Sequence, residues 1–191
     1  SKQMINHSPW DQFIRNNLVA PHTSGIYRVR YDAVSLDDRK SLQAYLAKLQ
    51  SLPISNFNRA EQKAYWINLY NALTVEIVLS HYPVKSIRDI DISPGWFSDG
   101  PWGAKLLQIE GEKVSLDDIE HRILRPLWKD NRVHYAVNCA SIGCPDLRAE
   151  AYEAEKLDTQ LDDQAREYIN HSRGAHVDGK GGLQVSSIYV W

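Results

Sequence analysis

The sequence predicts a helix-rich α+β fold in which a small, mostly antiparallel sheet packs against one buried helix. Three observations predict it. Apolar residues recur at helical spacing behind N-terminal cap signals in four places. One of those stretches, from Asn58 to about Ser80, is apolar nearly all round, as a central buried helix must be. The alternating runs are short and never form the regular βαβ repeat of a doubly wound sheet. A chain of 191 residues, 43% hydrophobic and 24% charged, reads as a single domain over 1–191 with enough core to need no disulfide or metal staple.

Ser8-Pro9 pairs a cap residue with a proline suited to the first helical turn, and Trp10, Phe13, Ile14 and Leu18 follow as one stripe. Ile26 to Tyr31 alternates like a short strand. Ser35 with Asp38 opens a helix whose inner face is Leu42, Tyr45, Leu46 and Leu49. Asn58 with Glu61 opens the central helix, which Pro83 ends. A Gly/Pro loop from Asp91 to Gly103 carries Trp96, Phe97 and Trp102, either as an aromatic wall beside a cleft or folded back on the core. Leu106 to Ile109 and the residues after Gly111 suit a hairpin. Ser115 with Asp118 caps a helix bearing Leu116, Ile119, Ile123 and Leu127. Arg132 to Asn138 alternates Val133, Tyr135 and Val137 against polar positions, a strand pattern. Leu157, Leu161, Ala165, Tyr168 and Ile169 mark the last helix, and after Gly181-Gly182 a strand is expected to run to Trp191.

Net charge is −2 with basic and acidic residues interspersed, which argues against a nucleic-acid partner held by its phosphates. No run approaches the ~20 apolar residues of a membrane span. The chain opens Ser1-Lys2-Gln3 rather than on Met, which leaves room for a leader removed upstream. Two cysteines are too few for a secreted disulfide framework, so the redox compartment stays open.

Chemistry gathers around Cys139. It closes the expected strand and is followed by Ala-Ser-Ile-Gly, a stretch able to turn backbone N–H groups toward a sulfur or an oxyanion. The plain alternative is a buried structural cysteine. A thiolate nucleophile wants an imidazole oriented by a carboxylate or amide. His121 is the preferred partner, because a strand over 132–138 would turn His134 to the face opposite Cys139. Glu120 lies about 100° away from His121 on the same helix, so the two need not serve one partner. Asp117, His121 and Arg125 equally suit a surface charge ladder. Asn68 and Asn71, one turn apart on an apolar helix, must be bonded inside or face a cleft. The C-x4-C spacing, with His121 and His134 on separate elements, is too loose to indicate zinc.

Three stretches carry a resemblance: Ala64-Tyr-Trp-Ile-Asn-Leu-Tyr-Asn-Ala-Leu73, Ser115-Leu-Asp-Asp-Ile-Glu-His-Arg-Ile-Leu-Arg125, and His134-Tyr-Ala-Val-Asn-Cys-Ala-Ser-Ile-Gly-Cys-Pro-Asp-Leu-Arg148. In this order and spacing the chain resembles domain of unknown function family 547, found in bacteria and plants, from about Trp10 onward. The resemblance implies a bacterial member, an exported or periplasmic home, and recurring polar positions at Asn68, Asn71, Glu120, His121, Arg125, Cys139 and Arg148. It implies less weight for His134 and Cys144, whose equivalents plant relatives often lack, and a family pattern that runs past Ile188–Trp191. A buried helix followed by a sheet carrying His and Cys is also similar to papain-like and transglutaminase-like folds, with the order of the two residues exchanged.

The leading functional expectation is a thiol-dependent hydrolase or transferase acting on an acyl or amide bond of a small molecule or peptide, without a cofactor. Cys139 is its nucleophile, His121 its base and Glu120 or Asn71 the orienting group, with Arg125 and Arg148 as carboxylate holders. Its rival is a non-catalytic ligand- or protein-binding domain in which the same cluster is a structural network. A third reading makes Cys139 and Cys144 a redox pair or disulfide, which four intervening residues allow.

Overall fold

The computed structural model describes residues 3–19, 25–95 and 99–190. Its long helices are α1 (Ser8–Asn17), α2 (Leu36–Gln50), α3 (Arg59–His81) and α6 (Leu157–Asn170). Two one-turn helices are α4 (Arg125–Trp128) and α5 (Val133–Ala136), and a π-helix over Asp118–Leu124 runs straight into α4. The strands are β1 (Leu18–Val19), β2 (Arg28–Val29), β3 (Leu107–Ile109), β4 (Glu112–Val114), β5 (Ala175–Val177) and β6 (Leu183–Val185). They pair antiparallel as β1–β2, β3–β4 and β5–β6, so the expected sheet is divided among three two-stranded ribbons.

Local signals act as expected where a cap closes its own helix. Ser35 Oγ accepts from Asp38 N–H at 3.0 Å, and Asn58 Oδ1 accepts from Ala60 and Glu61 N–H, both at 3.0 Å. Asp118 accepts from Ser115 N–H and Oγ–H while Ser115 Oγ accepts from Asp118 N–H, a reciprocal box. The first helix differs: its cap position is His7, and Ser8 lies one residue inside with its N–H on Asn6 Oδ1. Between β3 and β4, Glu110 and Gly111 take φ of 49° and 90°, the left-handed pair a two-residue hairpin turn requires.

The core is built on α3. Residues from Ala64 to Val75 are buried on every face. α2 packs on one flank with α1 behind it, and the π-helix lies against another. α6 packs on α5. Polar residues on α3 are buried because each has a partner: Glu61 accepts from Ile5 N–H, and Lys63 pairs with Asp130 at 2.6 Å.

Arg132–Asn138 is not a strand. Val133 to Tyr135 bond back to Asp130, Asn131 and Arg132 carbonyls, and Asp130 Oδ1 caps Arg132 N–H at 3.0 Å. None of the three ribbons among the described residues pairs with this run, and it satisfies its backbone locally, as one helical turn. The helix after Ser115 also departs from plan. Its π turn shifts the inner face so that Leu124 is buried and Leu127 is 51% exposed. Ile169, one of the residues that mark the last helix, is 41% exposed, and the strand expected to run to Trp191 ends at Val185, with a 3-10 turn over Ser187–Val190.

Candidate functional site

The π turn positions the acidic centre. In a helix of 3.6 residues per turn Glu120 and Arg125 would stand ~140° apart. Here the Arg125 N–H reaches the Glu120 carbonyl, and the wider turn brings the two side chains together, Arg125 Nη2 lying 3.6 Å from Glu120 Oε1. His134, carried by α5, joins them. Its Nδ1 is 3.0 Å from Arg125 Nη2 and 3.5 Å from Glu120 Oε1. Unprotonated, that nitrogen accepts from Arg125; protonated, it donates to Glu120. Its Nε2 is buried with no hydrogen-bond partner.

Burial works against the charge on Glu120. The hydrogen bond from His134 and the positive charges of His121 and Arg125 prevail, and hold its pKa below the ordinary carboxylate value. The same carboxylate touches the hydroxyl of Tyr70 on α3. That phenol is pushed well above its usual pKa by burial first, then by the charges of Glu120 and Asp117. Asp117 shifts upward too, through burial and the neighbouring charges of Glu120 and Asp118, against the pull of His121.

In front of this cluster opens a cleft of about 330 Å³, walled by Arg125, Lys129, Asp130, His134, Tyr135 and Tyr189. Asp130 is already neutralised by Lys63 and Arg132, at 2.6 and 2.7 Å. Lys129 ends α4 in the left-handed conformation, with φ of 51°, and makes no ion pair among the described residues. Tyr135 packs against Tyr168 and Tyr189, with ring centroids 5.9 and 6.4 Å apart.

Cys139 lies elsewhere in bonding terms. Its sulfur is joined to Cys144 in a disulfide with Cα atoms 6.2 Å apart. No hydrogen bond or ion pair among the described residues links it to His121, which is exposed. Asn71 spends both ends of its amide on backbone beside it: Nδ2 donates to the Ala136 carbonyl at 2.9 Å, and Oδ1 accepts from Asn138 N–H at 2.8 Å. Asn68 holds Tyr152 in the same way, at 2.8 and 2.9 Å. Arg148 stands apart at a second cleft of about 280 Å³, paired with Glu150 at 2.8 Å. Of the sequence-derived residues, then, the structure brings Glu120, His121 and Arg125 together and leaves Cys139 and Arg148 outside that group.

A family model described as "Protein of unknown function, DUF547" matches residues 54–169. The chain belongs to the DUF547 family. Comparison with curated proteins and with solved structures gives no match. The DUF547 region contains Glu120, Arg125, His134 and both cysteines, while Tyr189 on the far wall of the cleft lies beyond it.

Sequence reasoning passed over Tyr70, Lys129 and Tyr135, and demoted His134. The signal for His134 was Asp130-Asn131, cap-type residues just ahead of Val133, outweighed by the alternation that follows. Trp96 and Phe97 of the expected aromatic wall lie outside the described residues; Trp102 is half-buried against the core. Among the described residues no helix is long and apolar enough to cross a membrane, and no group of three His, Cys, Asp or Glu is placed to hold a metal ion.

Proposed function

We propose that this member of the DUF547 family is a ligand-binding domain whose cleft takes a small carboxylate. One observation carries the reading: Arg125 is held in the cleft wall by Glu120 and His134, with Lys129, in no ion pair among the described residues, four residues on. Arg125 and Lys129 outnumber the one carboxylate in the wall, Asp130, and that one is doubly paired. Two cations facing a half-enclosed space favour an anion, and a guanidinium offers it two parallel hydrogen bonds. Tyr135, Ile188 and Tyr189 supply apolar surface for the remainder of the ligand.

The test is calorimetric titration with succinate, glutarate and citrate. Binding of one of them should weaken roughly 10–100-fold in Arg125→Gln, the worth of a lost charge-assisted bond. If none binds, or if Arg125→Gln binds as the wild type does, the reading fails.

A second reading keeps thiol-dependent acyl chemistry at Cys139, with His121 as base and Glu120 or Asn71 orienting it. It is supported by the partial exposure of Cys139 and by the Asn71 clamp on the backbone beside it. It needs the Cys139–Cys144 bond reduced and an imidazole brought to the sulfur. Reduced protein in which Cys139 alkylates faster than Cys144, and loses that advantage in His121→Ala, would favour it over the binding domain.

A further inference from the structure

The loop closed by the disulfide is tied to the cleft by two separate routes. In the first, Asn138 holds the loop from inside, its Nδ2 donating to the Pro145 carbonyl at 2.7 Å and its Oδ1 accepting from Ala140 N–H at 2.9 Å. Asn138 N–H is in turn held by Asn71, whose other end holds Ala136, the last residue of α5. α5 carries His134 and Tyr135 into the cleft wall. In the second route the Tyr168 hydroxyl donates to the Gly143 carbonyl at 2.7 Å, at the tip of the loop. The ring of that tyrosine packs against Tyr135.

The loop itself is accessible. Ser141, Ile142 and Gly143 are exposed, and both cysteines are partly so. Arg173 clasps its far side, donating to the Ile142 and Cys144 carbonyls at 2.9 and 3.0 Å while pairing with buried Asp146. A dithiol therefore meets an exposed loop with partly exposed cysteines, and the backbone it would release is the one that anchors α5.

We propose that the Cys139–Cys144 pair is a redox switch on the cleft: closed, it holds α5 and the His134–Arg125 contact in place; opened, it loosens both. The chemistry is thiol–disulfide exchange with an external dithiol. One thiolate of the reductant attacks a sulfur of the pair, forming a mixed disulfide and releasing the other cysteine as a thiolate, which takes up a proton. The second thiolate of the reductant then displaces the first cysteine and leaves as a cyclic disulfide. Two electrons and two protons pass to the protein. The effect on binding rests on the carboxylate reading above; the coupling of the loop to α5 does not.

Hydrogen exchange on the whole chain, with and without dithiothreitol, separates the two. Reduction should quicken exchange of the amides of residues 133–138 about tenfold, while α2 is unchanged. Cys144→Ser should match the reduced wild type without reductant. Should that variant fail to fold, reoxidation of the reduced wild type must restore the slow exchange. Faster exchange confined to residues 139–145 overturns the switch. A parallel titration with succinate should show weaker binding to the reduced chain. Equal affinity of both forms overturns control of the cleft, and absence of binding to either form counts against the carboxylate reading while leaving the exchange result to decide the coupling.

Discussion

Asn71 makes two backbone bonds, a buried one to the end of α5 and a part-buried one to the residue ahead of Cys139. Asn71→Leu would fit the apolar surroundings in volume but strand a donor and an acceptor, each worth ~1–3 kcal/mol. We expect a loss of ~2–4 kcal/mol by urea denaturation, against little change for a substitution of the exposed Gln12. His7 gives a second residue-level expectation. It is 5% exposed, hydrogen-bonds Tyr45 through Nδ1 at 2.6 Å, and leaves Nε2 buried without a partner. Burial lowers its pKa from 6.5 to about 4, against a smaller opposing pull from Glu153. The unfolded chain therefore takes up this proton near pH 6.5 and the folded chain only near 4. Its contribution is whole above pH 6.5, declines as pH falls toward 4 and is level below, by roughly 3 kcal/mol in all. Unfolding free energies at pH 7 and pH 4.5 should differ less in His7→Gln than in the wild type. An equal difference in both would show that His7 does not carry it.

Among the elements, the loop from Cys139 to Cys144 is the smallest closed unit. A cross-link over so few residues removes little freedom from the unfolded chain, on the order of 2 kcal/mol in the chain-entropy account. For a chain of this length that corresponds to a fall of about 4–8 °C in Tm when the bond is reduced. The double variant Cys139→Ser, Cys144→Ser should show the same fall and no further response to dithiothreitol. A larger drop would measure the support that the closed pair also gives to α5. The π turn over Asp118–Leu124 is the other element with a defined task, because it makes neighbours of Glu120 and Arg125. An ordinary helical turn would part them.

At the scale of the molecule, the residues that were legible are those whose structure is decided close by in sequence. Ser35, Asn58 and Ser115 cap helices through atoms two or three residues away, and α3 announces its burial by being apolar on every side. What escaped depends on remote partners. The run from Arg132 to Asn138 alternates like a strand, but whether it becomes one depends on docking to a strand elsewhere in the chain, and none of the described ribbons pairs with it. The π turn leaves no residue-type signature in Asp-Ile-Glu-His-Arg-Ile-Leu. The cleft joins Arg125 and His134 to Ile188 and Tyr189, more than fifty residues on, a proximity that spacing alone does not encode. The polar cluster was half legible: Glu120, His121 and Arg125 share one helix, whereas Tyr70 and His134 reach it from other parts of the chain.

The amide clamps of α3 also bear on the order in which the molecule assembles. Asn68 bonds a residue 84 positions away, and Asn71 bonds residues 65 and 67 away. Closing such loops costs chain entropy before any bond repays it, so these contacts form late, after α1, α2 and α3 have packed with their sequence neighbours. Stopped-flow kinetics of Asn68→Leu should then show unfolding accelerated and folding nearly unchanged. A slowed folding limb would place Tyr152 on α3 already at the rate-limiting step.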